Sequence, residues 1–249
     1  MKFFEILNPD GAIVIDSNFK NIELLDHFPM SECQFRAKDG YPSHGMYYLP
    51  RSNPNATLVG ISLNGLNNVA RFGFSANIGG IEFYDSHSGI ENYGIEPVKR
   101  DDIASKSHVY LFGFGNDKPL EHGTGLEICN VDGKVVYSSA KRYLNVLGCG
   151  SEKSETVQMS GTTIAFTLGT DHVTKIYESH KVGAKGVVYN RYPRFTVNEN
   201  SISVGMLEAQ TVYIPDDDAP DWGWHLIFHC YYNFGWLIGN VVISTGEKS

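Results

Sequence analysis

One ten-residue segment, residues 215–224 (PDDDAPDWGW), contains four aspartates and two tryptophans. Asp216, Asp217 and Asp218 offer oxygen ligands of the kind that Ca²⁺ prefers, and Trp222 and Trp224 can stack on a sugar ring or bury against a partner chain. The alternative is a solvated acidic loop whose tryptophans fold back onto their own domain. Because no EF-hand or β-helix calcium spacing surrounds the carboxylates, we predict a partner or glycan contact here and no metal site.

Two histidines offer the best metal-ligand spacing in the chain. His225 and His229 are separated as i and i+4, with Cys230 adjacent. In a strand these two positions share a face, so both imidazoles could reach one ion. The alternative is one face of a half-buried strand. Since the spacing places no third ligand, we predict no metal centre.

Residues 85–88 (DSHS) place an acid, a base and two hydroxyls within one short segment. Catalytic triads draw on separated segments, and the chain contains no G-x-S-x-G nucleophile elbow, so a polar loop is the preferred interpretation. Glu82 with Asp85, or Glu121 with Glu127, could form a glycosidase pair, but sequence does not set the separation of their carboxylates. No P-loop or G-x-G-x-x-G pattern occurs. We predict no enzyme, no catalytic residue and no cofactor.

A fourteen-residue stretch occurs twice. Residues 4–17 read FEILNPDGAIVIDS, and residues 126–139, 122 positions later, read LEICNVDGKVVYSS, with seven identical positions. Agreement at one fixed offset indicates an internal duplication. Asn-x-Asp-Gly between two β-prone runs predicts a hairpin in each copy. Gly11 and Gly133 would supply the positive φ of the turn, and Asp10 and Asp132 tolerate the neighbouring left-handed position.

The second copy also carries a resemblance to a known group of proteins. Residues 125–139 (GLEICNVDGKVVYSS) resemble, almost position for position, the opening hairpin of small tail-associated structural proteins of tailed bacteriophages, which typically start with a sequence like GLQVFNASGQLVFDS. The first copy departs from this pattern, since it lacks the leading glycine and carries Pro9 in the turn. About thirty of the 249 residues carry the likeness. The resemblance implies a structural protein of the phage tail, and it assigns a role to no individual residue.

The composition narrows the class of partner. The formal net charge is −8, and the compact basic groups are only Lys99-Arg100 and Lys141-Arg142, so we expect no nucleic-acid partner. The most hydrophobic stretch, residues 225–243, contains two His, two Asn and two Gly, which argues against membrane insertion. The four cysteines have no paired spacing, which favours free thiols made in a reducing compartment. Cys129 replaces Leu7 of the first copy, which predicts a small core residue.

The fold expected from these observations is all-β. Short β-prone runs separated by turn residues point to sandwiches or jelly rolls, and no helical period extends over ten residues. Residues 56–63 and 69–78 read as partner strands joined at Asn64-Gly65. Residues 116–124 (NDKPLEHGT) read as a linker. We therefore predict two tandem β-sandwich or jelly-roll-like domains, residues 1–118 and 119–249, the second a repeat of the first.

Together these observations predict a non-enzymatic component of a phage tail, located in the virion and made in the host cytoplasm. It would act at the tip, the baseplate or a fibre attachment through assembly with copies of itself and with other tail proteins. Two fused domains would act as a pseudo-dimer that places similar surfaces at two positions of a ring. The alternative function is a carbohydrate- or host-receptor-binding module that uses Trp222 and Trp224.

Overall fold

The structure, a computed structural model, describes residues 5–7, 13–16, 20–38, 41–66, 71–76, 79–84, 97–115, 125–150, 155–168, 186–214 and 235–243. Most of these residues are in strands and only one short helix is present among them, so the predicted all-β class is confirmed. Among them no helix is long and apolar enough to cross a membrane. The first part of the chain contains β1 (Glu5–Leu7), β2 (Ile13–Asp16), β3 (Glu23–Pro29), a 3-10 turn (Met30–Glu32), β4 (Gln34–Lys38), β5 (Tyr41–Tyr48), β6 (Ala56–Ser62), β7 (Arg71–Ala76), β8 (Gly80–Tyr84), α1 (Pro97–Lys106) and β9 (His108–Gly113).

The second part of the chain is built in the same way from strands. They are β10 (Glu127–Cys129), β11 (Val135–Ser138), β12 (Arg142–Gly150), β13 (Glu155–Gln158), β14 (Thr163–Leu168), β15 (Gly186–Val197), β16 (Ser201–Ile214) and β17 (Gly235–Ile243).

Two large sheets and two small hairpins organise these strands. A closed barrel has the order β12-β17-β14-β6-β9-β3, and a seven-stranded sheet has the order β13-β16-β15-β7-β8-β5-β4. The hairpins are β1-β2 and β10-β11. Every pairing is antiparallel.

The strand order of the first part recurs in the second. In the barrel, the first, third and second strands of each part lie side by side, as β3-β9-β6 and as β12-β17-β14. In the other sheet, β5-β8-β7 corresponds to β13-β16-β15. The parts meet through corresponding strands, namely β3 with β12, β6 with β14 and β7 with β15.

These junctions bear on the predicted division at residues 118 and 119. Hydrogen-bonded pairs cross it in the barrel, where Ile61 lies opposite Ala165, and in the seven-stranded sheet, where Phe72 lies opposite Phe195. Both large sheets therefore contain strands from both predicted domains. The two-domain division itself stays a prediction, as does the duplication of the whole chain.

The main hydrophobic core lies between the barrel and the seven-stranded sheet. Alternate residues of β9 and β17, including Val109, Leu111, Trp236 and Ile238, pack in one cluster with phenylalanines of the seven-stranded sheet. The intervening residues of the barrel strands form a second cluster, centred on Phe112, Ile164 and Phe166. Period-2 alternation therefore supplies apolar side chains to both faces of the barrel strands.

The two hairpins share one register. Glu5, Ile6 and Leu7 lie opposite Asp16, Ile15 and Ile13, and Glu127, Ile128 and Cys129 lie opposite Ser138, Tyr137 and Val135. Each ladder shifts register between its second and third residue. Both predicted hairpins are confirmed, with a bulge at the same repeat position.

Three expectations from the sequence were wrong. Strands β6 and β7 are not partners, because β6 pairs with β9 and β14 while β7 pairs with β8 and β15. Helix α1 was missed, because the buried apolar residues among its described side chains, Ile103 and Ala104, are adjacent and give too short a hydrophobic period. The Cys129 thiol is exposed rather than in the core, because the hairpin β10-β11 forms a separate two-stranded sheet.

Candidate functional site

A polar groove lies on the outer face of the seven-stranded sheet. It encloses about 480 Å³, and we call it the Arg194 groove; its lining comes from β13, β15 and β16 and consists of Glu155, Thr156, Arg194, Thr196, Ser203, Val204 and Gly205. Phe195, Val197 and Ile202 alternate with lining residues along the strands and are buried in the core. The strand period therefore turns Arg194, Thr196 and Ser203 away from the core.

Arg194 lies between two glycines. In the cross-strand register Gly205 of β16 is on one side of Arg194 and Gly73 of β7 is on the other. Neither of these two paired residues places a side chain beside Arg194. Within the described ranges the Arg194 side chain has no hydrogen bond or ion pair.

A second arginine lies beside it. Arg71 faces Thr196 across the β7-β15 pair, so it is the diagonal neighbour of Arg194 on the same face. Such neighbours have Cα atoms about 7–8 Å apart. The two are also corresponding residues, since Arg71-Phe72 recurs as Arg194-Phe195 at an offset of 123. In the described part of the structure Arg71, like Arg194, has no acidic partner.

Hydroxyl groups continue the groove away from the arginines. Thr156, Ser203 and Thr196 lie in one cross-strand row on β13, β16 and β15. The Thr156 Oγ1 and Ser203 Oγ atoms are 3.2 Å apart and share a hydrogen bond. Glu155 is exposed at the start of β13, and its carboxylate forms no ion pair with Arg194 within 4.0 Å.

The chemistry that this lining supports is binding. Among the described residues that line it there are one acidic residue, one basic residue and three hydroxyls, but neither a histidine nor a cysteine. A nucleophile therefore has no imidazole or thiolate partner in the groove. Over the described residues no group of three or more His, Cys, Asp or Glu side chains could hold a metal ion.

The groove adjoins a sheet edge that no described strand covers. Strand β13 is a terminal strand of the seven-stranded sheet, whereas its counterpart β5 is covered by β4. Eleven residues, 30–40, separate β3 from β5 and contain β4, but only four residues, 151–154, separate β12 from β13. Four residues cannot form both a strand and its turns, so the second part has no room for a counterpart of β4 before β13.

A buried ion pair joins the two parts of the chain at the β3-β12 seam. Lys141 Nζ lies 2.7 Å from Glu23 Oε2, and Glu23 is buried. A Cβ atom at Gly115 would overlap Glu23 Oε1, so a larger residue there would displace the Glu23 carboxylate. Burial raises the pKa of Tyr143 to about 12, and the Tyr143 hydroxyl accepts a hydrogen bond of 2.7 Å from the Ser138 N–H. Strand joining is the role that these contacts support.

Other perturbed groups lie in packed surroundings. Burial raises the pKa of Cys33 to about 11 and that of Tyr47 to about 12. The Tyr47 hydroxyl donates to Asp101 Oδ1 at 3.3 Å, and Arg100 binds the same oxygen at 2.9 Å. The Arg100 guanidinium lies 3.7 Å from the Phe35 ring centroid. This cluster attaches α1 to the sheet and contains no reactive thiol or general base.

The described hairpin turn holds two of the predicted structural residues. Gly133 has φ +75°, as predicted, and its N–H donates to the Asn130 carbonyl at 3.0 Å. The Asn130 side-chain oxygen accepts from the N–H groups of Asp132 and Lys134, at 3.0 and 2.9 Å. This structural role of Asn130 was not predicted from the sequence, although the recurrence of the residue as Asn8 was a signal for it.

The remaining candidate residues lie outside the described ranges. They are the possible contact residues Asp216, Asp217, Asp218, Trp222 and Trp224, the turn residues Asp10 and Gly11, the metal candidates His225, His229 and Cys230, the polar segment 85–88, and Glu121. The Arg194 groove was not predicted, because its residues come together only through the pairing of β13, β16, β15 and β7. Comparison with known protein families, curated proteins and solved structures found no match to this chain.

Proposed function

We propose that the protein is a non-enzymatic structural component of a phage tail, at the tip, the baseplate or a fibre attachment. The edge of β13 is the observation that best supports this proposal. Among the described strands, none pairs with the outer edge of β13, whereas β4 pairs with the corresponding edge of β5. An uncovered strand edge is a template for strand addition by another chain.

The occupant of this edge is a strand of another tail subunit, either a second copy of this chain or a different tail protein. The resemblance of residues 125–139 to phage tail proteins supports the same context. Virion location follows from this proposal, and a homo-oligomer forms where the occupant is a second copy of this chain.

To test this proposal, the β13 edge is covered by a strand that is inserted into the same chain. Residues 30–40, which contain β4, are copied into the 151–154 segment, and the control has a Gly/Ser insertion of equal length. Light scattering then gives the mass of each purified protein alone and with tail particles that lack it. The proposal requires that the control assembles as the wild type does and that the β4 insertion does not. Equal assembly of the two insertion variants would exclude the β13 edge.

A second candidate function is a carbohydrate- or host-receptor-binding module. The Arg194 groove favours it, because hydroxyls and a guanidinium in a groove of about 480 Å³ match the hydroxyl-rich surface of a saccharide. Glycan-array binding by the whole protein tests this function. The absence of any glycan signal would leave assembly as the remaining proposal.

A further inference from the structure

We infer that the Arg194 groove is a binding site for an acidic saccharide, whose carboxylate is held by Arg194 and Arg71. This inference rests on the second candidate function and does not require the assembly role. It assigns a class of ligand to the residues of the Arg194 groove, which do not include Trp222 or Trp224.

Two neighbouring arginines provide the positive charge that would bind a carboxylate. Arg194 and Arg71 are diagonal neighbours on one face, about 7–8 Å apart at Cα, and neither has an acidic partner among the described residues. Two like charges so placed repel one another, and a bound anion would relieve that repulsion. Guanidinium groups bind carboxylates through two parallel N–H···O bonds, which also orient the ligand.

The residues on either side of Arg194 also support this inference. Gly205 and Gly73 are its cross-strand neighbours, so neither residue paired with it occupies the place of a ligand with a side chain. Arg194 itself is half-buried, which limits the number of conformations that it must give up on binding.

A cross-strand row of hydroxyl side chains lies next to the arginines. Thr196, Ser203 and Thr156 extend from the arginines toward the edge of the sheet and offer donors and acceptors to sugar hydroxyls. Protein interfaces have an apolar or aromatic centre, whereas the one apolar side chain among the described lining residues, that of Val204, is buried in the core. The lining therefore favours a saccharide over an acidic peptide.

The experiment uses the whole protein and a tetramer of galacturonic acid, with a neutral tetramer of galactose as the matched ligand. Calorimetric titration at low ionic strength measures both. We expect binding of the acidic tetramer only, weakened about tenfold or more by Arg194→Gln or Arg71→Gln. Arg36→Gln is the matched control, since Arg36 lies on the same face but binds Gln34 and stacks on Tyr48.

Three results would overturn the inference. Equal affinity for the neutral tetramer would show that the arginines do not select the ligand. Equal losses in Arg194→Gln and Arg36→Gln would place binding elsewhere. Binding of polyglutamate as tight as that of the acidic tetramer, with no weakening by Ser203→Ala, would define a general anion or peptide site. Because Arg194→Gln leaves the β13 edge intact, the mass by light scattering reports separately on the assembly proposal.

Discussion

Phe72 and Phe195 lie directly opposite one another where β7 meets β15, with ring centroids 6.1 Å apart. Shifting either residue by 123 positions gives the other, and the flanking pairs Arg71–Thr196 and Gly73–Arg194 exchange in the same way. The two phenylalanines therefore mark the centre of a local two-fold relationship between the two parts of the chain. Both rings are fully buried in the main core.

Truncation of either phenylalanine should be severe. We expect Phe72→Ala or Phe195→Ala to lower the free energy of unfolding by about 3–5 kcal/mol, because each leaves a cavity between the sheets. The double variant should lose less than the sum, since the two rings contact the same neighbours. Urea denaturation measures these changes. Phe114→Ala is the control: Phe114 is 46% exposed, and a comparable loss there would contradict the assignment of the core.

The ion pair between Glu23 and Lys141 should behave as a buried pair. Lys141→Met leaves the Glu23 carboxylate buried without this partner, and we expect a loss of about 3–5 kcal/mol in unfolding free energy. Glu23→Gln combined with Lys141→Met should recover part of that loss. Lys106→Met is the matched control, because Lys106 pairs with Asp102 on the surface of α1 at 2.7 Å. If the Lys106 and Lys141 variants lose equal stability, the seam pair has no special weight.

The turn glycine of the described hairpin should resist β-branched replacement. Gly133→Val is expected to cost about 1–3 kcal/mol, because valine at φ +75° is strained. No atom lies within 4 Å of a Cβ built at Gly133, so the cost comes from the backbone and not from a clash. Lys134→Val, in the same turn, is the control. Chemical denaturation that finds Gly133→Val as stable as wild type would contradict the turn assignment.

Asp26 should contribute an acid-sensitive part of the stability. Its hydrogen bond from Arg51 holds the pKa of the carboxyl below its ordinary value of 3.8. Folding therefore favours the ionised form. The contribution is complete above the unfolded-state pKa and is lost as the pH falls through the folded-state pKa. Asp26→Asn should reduce thermal stability at neutral pH and have no effect in strong acid, whereas a difference that persists in strong acid would contradict this account.

Local patterns predicted the local structure well. Asn-x-Asp-Gly between β-prone runs was sufficient for both hairpins, because a two-residue period and a glycine turn are short-range properties. The Asn64-Gly65 signal failed, although Gly65 does adopt φ +80°. There the strand before the turn, β6, and the strand after it, β7, are placed in different sheets by long-range pairing, which no local residue type encodes.

The Arg194 groove illustrates the same limit. The recurrence of Arg-Phe at positions 71 and 194 is visible in the sequence, but its meaning depends on the pairing of Phe72 with Phe195. Likewise, Glu23 and Lys141 are 118 positions apart and meet only at the barrel seam. Sequence periodicity selects the face on which such residues lie, while the strand order decides their neighbours.

The meeting of corresponding strands at every seam gives the chain a freedom that a symmetric homodimer lacks. In a homodimer each substitution appears twice, on both sides of the axis. Here both sides are encoded separately, so one can change while the other is kept. Strand β4 covers the sheet in one part alone, and opposite Arg71 and Arg194 the residues are Thr196 and Gly73, which differ. A single polypeptide thus retains the packing of a two-fold pair and still presents two different surfaces.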